Sequence, residues 1–324
     1  MCAQNQNVLQ WFICNCRTIF VIIYVMTEAE KYLEDYLDYL EIEKNRSIKT
    51  RENYKRYLDL FLSWSKLKSV KDIDRDAVRN FRLFLARREI KKVTQSYYVI
   101  AIRNFLKYLI KRNIDVMAPD QIELPKIGMR QIEIPDERDL ERLLAAPESS
   151  SLRGLRDKAI LELLFSTGLR LSELCALNRY LDLERGEITV RGKGEKLRLV
   201  FISPDAKRAV KSYLDKRDDA DEALFISFAG NPKMKSKKIL GRITPRAVER
   251  LVSLYARKAG IQNRVTPHML RHLFATDLLI NGADLRSVQE MLGHASISTT
   301  QVYTHLTNKG LREAHKTFHA KRRN

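Results

Sequence analysis

The sequence predicts a mainly α-helical protein of two domains, with a small β-hairpin or sheet in the second (α+β). Three observations carry that prediction. Apolar residues recur at helical spacing through most of the chain, prolines interrupt the pattern near residues 114–135, and two short β-rich runs flank a Gly-x-Gly turn further on. A chain of 324 residues, 44% hydrophobic and 31% charged, is long enough for two domains, each with its own core. Its formal net charge of +19 points to a polyanionic partner, of which nucleic acid is the commonest. A ribosome-associated or otherwise basic protein shares that charge, so the motifs must decide.

Residues 1–26 carry one charged side chain, Arg17, and Ile19 to Met26 is continuously apolar. The run is too short to span a bilayer, and it lacks the basic start and the cleavage site of a signal peptide. Met26 is therefore expected to be the native start; a weak membrane anchor is the alternative. Thr27-Glu28-Ala29-Glu30 then reads as a capping box opening the first helix.

From residue 27 to 113 the expected helices lie near 28–43, around Tyr54, Tyr57, Leu58 and Phe61, around Val78, Phe81 and Leu85, and around Val99, Ile102, Leu106 and Leu109. Together they make a small bundle. Cations recur on their polar faces: Lys49, Arg51 and Lys55, then Arg79 and Arg82, then Arg103 and Lys107. Such clusters often only solvate a helix face. Recurrence on successive helices favours a surface that tracks phosphates, with Lys49, Arg51, Lys55, Arg79, Arg103 and Lys107 as its candidate DNA contacts.

Pro119, Pro125 and Pro135 mark residues 114–135 as an interdomain linker. In the second domain, 136–324, helices are expected at 136–146, 153–167, 169–177, 204–216, 245–258, 267–280, 285–292 and 299–306. Strands are expected at 187–191 and 197–202. Thr244-Pro245 and Thr266-Pro267 are N-cap plus N1-proline starts, and Gly293 stands where a helix C-cap belongs. Cys175 lies in an apolar helical stretch and reads as a buried thiol. Cys2, Cys14 and Cys16 crowd the first residues without a pairing framework, which fits a reducing cytoplasm.

All six histidines follow residue 267. His268 and Arg271 share one helix face in Pro267-His268-Met269-Leu270-Arg271-His272, and His268 falls in the first turn, where an anion is favoured. Arg271 presents a planar fork that suits two phosphate oxygens. His294 follows in Leu292-Gly293-His294, then Tyr303. Upstream, Arg170 follows Ser166-Thr167-Gly168-Leu169, and Lys193 sits between Gly192 and Gly194 on the hairpin turn. Alone, Arg170 would be an ion pair to Glu173, Lys193 an ordinary turn lysine and Tyr303 a packing residue. His268 and His272 have zinc-site spacing, but the Glu of that signature is missing and no third ligand is near. Two arginines, two histidines, a lysine and a tyrosine suit one chemistry well. They can hold a phosphodiester and attack it with a phenol oxygen, without a metal or cofactor.

Together these motifs resemble the tyrosine recombinases of the phage-integrase superfamily, and the Xer group most closely, over nearly all of residues 28–320. The resemblance implies a two-domain, C-shaped DNA clamp, in which a helical, SAM-like core-binding domain faces the catalytic domain. It implies phosphate binding by Arg170, Arg271 and His294, attack by Tyr303 to give a 3′-phosphotyrosyl link, proton transfer by His268, and protonation of the leaving 5′ oxygen by Lys193. It further implies double-stranded DNA as partner and a homo- or hetero-tetramer of protomers on two sites, with Leu306 to Phe318 packing on a neighbour. A DNA translocase is a further candidate partner. The expected role is cytoplasmic dimer resolution of chromosomes or plasmids, tied to partition and cell division, with DNA integration by a mobile element as the alternative. A non-catalytic DNA-binding regulator on the same fold is the reading of another class. Two features depart from the family: Leu273 stands where many relatives carry a small polar residue, and residues 1–26 match nothing in it.

Overall fold

A computed structural model describes residues 26–125, 136–192, 197–229 and 238–293. The chain divides into two compact units, Met1–Gln131 and Ile132–Asn324.

In the first unit, α1 (Glu28–Asp38) opens on the expected capping box. The Glu30 amide donates to Thr27 Oγ1 at 3.2 Å, and the Thr27 amide donates to Glu30 Oε2 at 2.8 Å. The helix does not run regularly to residue 43. It widens into a π turn over Tyr39–Glu43, which keeps the Tyr39 ring 4.8 Å from Tyr108 while Leu40 stays buried. Next come α2 (Ile48–Ser65), capped by Ser47, α3 (Arg75–Arg87), capped by Asp74, and α4 (Lys92–Lys111). Their apolar faces meet around Tyr36, Leu58, Phe61, Phe81, Leu85 and Phe105, all at most 1% exposed. The rings pack as tilted and edge-on pairs, with Phe61 5.1 Å from Phe81 and Tyr36 5.4 Å from Phe105.

The stretch after α4 is partly built into this unit. A 3-10 turn at Pro119–Gln121 leads to Ile122, which is buried in the same core. Arg103 donates to the Ile122 carbonyl at 3.1 Å, and Arg82 donates to that of Glu123 at 3.3 Å.

The second unit is arranged around α6 (Leu152–Thr167), which follows α5 (Glu137–Ala145) and precedes the short α7 (Leu171–Ala176). Ala159, Ile160, Leu161, Leu163 and Leu164 are all fully buried, and Arg156, Asp157 and Glu162 are buried as well, so α6 is covered on nearly every side and runs through the core. Strands β1 (Glu187–Arg191) and β2 (Leu197–Phe201) form the expected antiparallel hairpin, with Val190 opposite Arg198 and Ile188 opposite Val200. After α8 (Pro204–Leu214) comes a second antiparallel pair that the sequence reading lacks, β3 (Ile226–Ala229) and β4 (Lys238–Arg242), with an irregularity between Ile226 and Phe228. These strands are short and a glycine interrupts the second, so neither shows a clean alternation. The last described helices are α9 (Pro245–Lys258), α10 (Pro267–Ile280) and α11 (Leu285–Leu292), capped by Thr244, Thr266 and Asp284. α6 packs on α8 and α10, and α11 packs on α10 and β2. Cys175 is buried, which pushes its thiol up to about 11. Among the described residues, no helix is long and apolar enough to cross a membrane.

Trp64 packs against Phe81 and Phe84 in the first unit, with ring centroids 5.6 and 4.8 Å away, so its fluorescence reports on that core. Phe105→Ala removes a fully buried ring at its centre. We expect it to cost about 3–5 kcal/mol, read as a lower denaturant midpoint by fluorescence. An unchanged midpoint would mean that the ring does not hold this core together.

Candidate active site

The candidate residues inside the described region come from two places in the chain, the α6–α7 turn and the start of α10. Gly168 ends α6 with φ +57°, and a Cβ there would lie 2.3 Å from the Phe274 ring. A left-handed glycine is therefore needed both to end the helix and to admit Phe274 of α10. Two residues later, Arg170 is the N-cap of α7. Pro267 and Thr266 start α10, which places His268 in its first turn and Arg271 one turn further on. Arg170, Thr266, His268 and Arg271 line one cavity of about 470 Å³.

Arg271 is 2% exposed, and its guanidinium donates to the carbonyls of Gly168 and Leu292. Arg170 donates through Nη2 to the Gly293 carbonyl at 2.6 Å and through Nη1 to Glu173 Oε1 at 2.9 Å. A third arginine, Arg198 of β2, donates to the Met291 carbonyl at 2.9 Å and with both Nη atoms to Glu173, each at 2.7 Å. Three successive carbonyls at the C-terminal end of α11 thus each receive a different arginine. Those carbonyls have no partner within the helix and carry its negative end, so cations belong there. Gly293 closes α11 at φ +63°. A Cβ on it would stand 3.0 Å from Arg198 Cδ and 3.6 Å from Arg170 Nη1, so glycine leaves room for both side chains.

Glu173 is the counter-charge of this cluster. Burial raises its carboxyl pKa, but the hydrogen bonds from Arg198, then from the Arg170 amide and guanidinium, outweigh that and hold it below the usual range. His268 is open to solvent on one side. Packing around its ring first, then repulsion from Arg271 and Arg170, lowers its pKa and favours neutral imidazole. His272, with its ring 4.5 Å from that of His268, is pushed down to about 4 by burial, His268 and Arg271, in that order. Among the described residues, no three His, Cys, Asp or Glu side chains gather as a metal site.

Arg170, His268 and Arg271 therefore meet at one place. Lys193, His294 and Tyr303 lie outside the described residues, as does the helix expected at 299–306. Sequence reasoning missed Arg198 and the joint role of Glu173. In the folded hairpin Leu197, Leu199 and Phe201 are 65%, 42% and 52% exposed, which leaves Val200 and Arg198 as the inward positions of β2.

The candidate DNA contacts of the first unit differ in their freedom. Arg79 and Lys107 are exposed. Lys49 pairs with Glu52 at 2.9 Å on the surface. Arg51 lies among Glu34, Asp38 and Glu41, Lys55 pairs with Glu34, and Arg103 pairs with Asp120 at 2.7 Å. The charges of Arg51, Lys55 and Arg103 thus already serve the fold, a distinction that periodicity alone does not draw.

A carboxyl held below its unfolded pKa stabilises the fold above the ordinary glutamate range of about pH 4.3, and that contribution is lost as pH falls through the lower folded value. Glu173→Gln leaves Arg198 without its counter-charge. We expect a loss of about 3–5 kcal/mol at neutral pH and a shallower acid limb in the thermal midpoint against pH. A variant whose acid limb matches the parent would exclude this carboxylate as a source of acid sensitivity.

The chain is similar to known proteins over most of its length. Residues 135–309 match the phage integrase family, and residues 33–113 match the phage integrase N-terminal SAM-like domain. The tyrosine recombinase XerC of Thermodesulfovibrio yellowstonii is 37% identical over 305 residues, covering 91% of this chain and 98% of its own. The tyrosine recombinase XerD of Oceanobacillus iheyensis is 37% identical over 303 residues, covering 90% and 98%. Among solved structures, the XerH site-specific recombinase bound to a palindromic difH substrate, in a post-cleavage complex, aligns with a TM-score of 0.64 at 25% identity, covering 90% of this chain and 85% of that one. The chain belongs to the phage integrase family, the tyrosine recombinases.

Proposed function

We propose that the protein is a Xer-like site-specific recombinase that cuts and rejoins double-stranded DNA through a covalent tyrosine link. The observation that carries this reading is the meeting of Arg170, His268 and Arg271 at one cavity, beside the α11 end from which the chain continues to His294 and Tyr303. The relatives named XerC and XerD support the Xer-like role over that of a mobile-element integrase.

In this reading Arg170 and Arg271 hold the non-bridging oxygens of the scissile phosphate and neutralise the charge that builds on them in the transition state. Their positive charge does the work a metal ion does elsewhere, so the reaction needs no metal. The Tyr303 oxygen attacks phosphorus; a P–O bond to tyrosine forms while the bond to the 5′ oxygen breaks. The phenol proton leaves toward His268, whose lowered pKa keeps the imidazole able to accept it. Lys193 gives a proton to the departing 5′ oxygen, and His294 holds a phosphate oxygen. A 5′ hydroxyl from the partner strand then attacks the phosphotyrosine and restores a diester, so bond energy is conserved. Exchange between two sites takes four protomers, with Leu306 to Phe318 packing on a neighbour, and the reaction belongs in the cytoplasm. The SAM-like unit, residues 27–113, grips DNA through exposed cations, Arg79, Lys107 and Lys49 among them.

A duplex nicked near the cleavage point traps the covalent intermediate, because the released fragment diffuses away. We expect wild-type protein to form an adduct resistant to denaturant, with the same yield in excess chelator, and Tyr303→Phe to form none. Arg170→Ala should slow adduct formation by about 10²–10³-fold while a gel shift still shows DNA binding. No wild-type adduct, or an equal one from Tyr303→Phe, would leave a non-catalytic DNA-binding protein on this fold.

A further inference from the structure

We propose that Arg198 is a positioning residue for strand cleavage: acting through Glu173, it sets the orientation of the Arg170 guanidinium. This rests on Arg170 holding the scissile phosphate, as proposed above.

The starting point is an inverted pattern. β2 turns Leu197, Leu199 and Phe201 outward and Arg198 inward, opposite Val190 and on the face that buries Ile188 and Val200. The Arg198 side chain is 9% exposed. Burying a guanidinium among aliphatic groups is costly unless its donors are satisfied, and a methionine would fill similar space without that cost. Arg198 is satisfied by a planar set of contacts: both Glu173 oxygens at 2.7 Å and the Met291 carbonyl at 2.9 Å. A two-point grip on a carboxylate fixes its plane, which a single contact does not.

The fixed carboxylate then holds Arg170. Glu173 Oε1 accepts from Nη1 of both arginines, and Oε2 accepts from Arg198 Nη2 and from the Arg170 amide. Without Arg198, Glu173 is held only by Arg170 itself, through the amide and Nη1, and is no longer tied to β2. Arg170 would keep its charge and its bond to the Gly293 carbonyl, but the carboxylate that aims its Nη1 would no longer be fixed. The expected deficit therefore lies in the cleavage rate, not in DNA affinity, and it passes through Arg170.

Single-turnover cleavage of the nicked duplex tests this with two substrates, one carrying the natural diester at the cleavage point and one a methylphosphonate. The methylphosphonate lacks one charged oxygen, so its transition state asks less of Arg170. We expect Arg198→Met to cleave the diester about 10–100-fold more slowly than wild type, with unchanged gel-shift affinity. The deficit should shrink on the methylphosphonate, as it should for Arg170→Ala. The double variant Arg170→Ala/Arg198→Met should be no slower than Arg170→Ala alone, since both changes act on one guanidinium. Arg198→Lys keeps the charge and loses the fork, so it should fold and show an intermediate deficit; it serves if the Met variant does not fold. Deficits equal on both substrates, deficits that multiply in the double variant, or a wild-type rate for Arg198→Lys would overturn the inference. A wild-type protein that forms no adduct would overturn the proposed function with it.

Discussion

The second unit depends on one carboxylate. Glu173 is buried between Arg170 and Arg198, and those arginines, with Arg271, hold the end of α11 by three consecutive carbonyls. Each part is unfavourable alone. A buried Glu would protonate, a buried Arg would carry an uncompensated charge, and a helix end would keep orphan carbonyls. Together the carboxylate, the guanidiniums and the carbonyls answer one another. The arrangement draws α6, α7, β2, α10 and α11 to a single point, and the cavity lined by Arg170 and Arg271 lies there.

Much of this was legible in the sequence because it rests on local rules. Thr27, Thr244 and Thr266 announce their helices through capping chemistry, and Gly293 announces the end of α11. The hairpin strands alternate strongly enough to be found. What the sequence hides is long-range. The π turn at Tyr39–Glu43 depends on where Tyr108 lies, far along the chain. The segment after α4 looked like a linker from its prolines, yet Ile122 enters the core and its carbonyl takes a bond from Arg103.

The site divides in the same way. Arg170, His268 and Arg271 stand out because their spacing and flanking glycine or proline resemble family motifs. Arg198 does not, since a lone arginine in a basic hairpin looks like any surface cation. Only its partners, Glu173 and the Met291 carbonyl, set it apart. Arg51 is the converse case: a regular cation cluster suggested a phosphate contact, whereas its partners are Glu34, Asp38 and Glu41. In a chain with net charge +19, the informative property of a cation is what it already holds.

That property also bears on catalysis. A guanidinium carries five N–H donors. In Arg170 the contacts to Glu173 and Gly293 engage one hydrogen on each Nη atom, and each Nη bears a second. The contacts that orient the group therefore do not consume its capacity to bind an anion. An arginine held only by solvent would have to lose rotational freedom as charge develops on a phosphate. One already clamped between a buried carboxylate and a helix end has met that cost during folding, the sense in which a preorganised site lowers a barrier. The same folding energy that seats α11 aims Arg170.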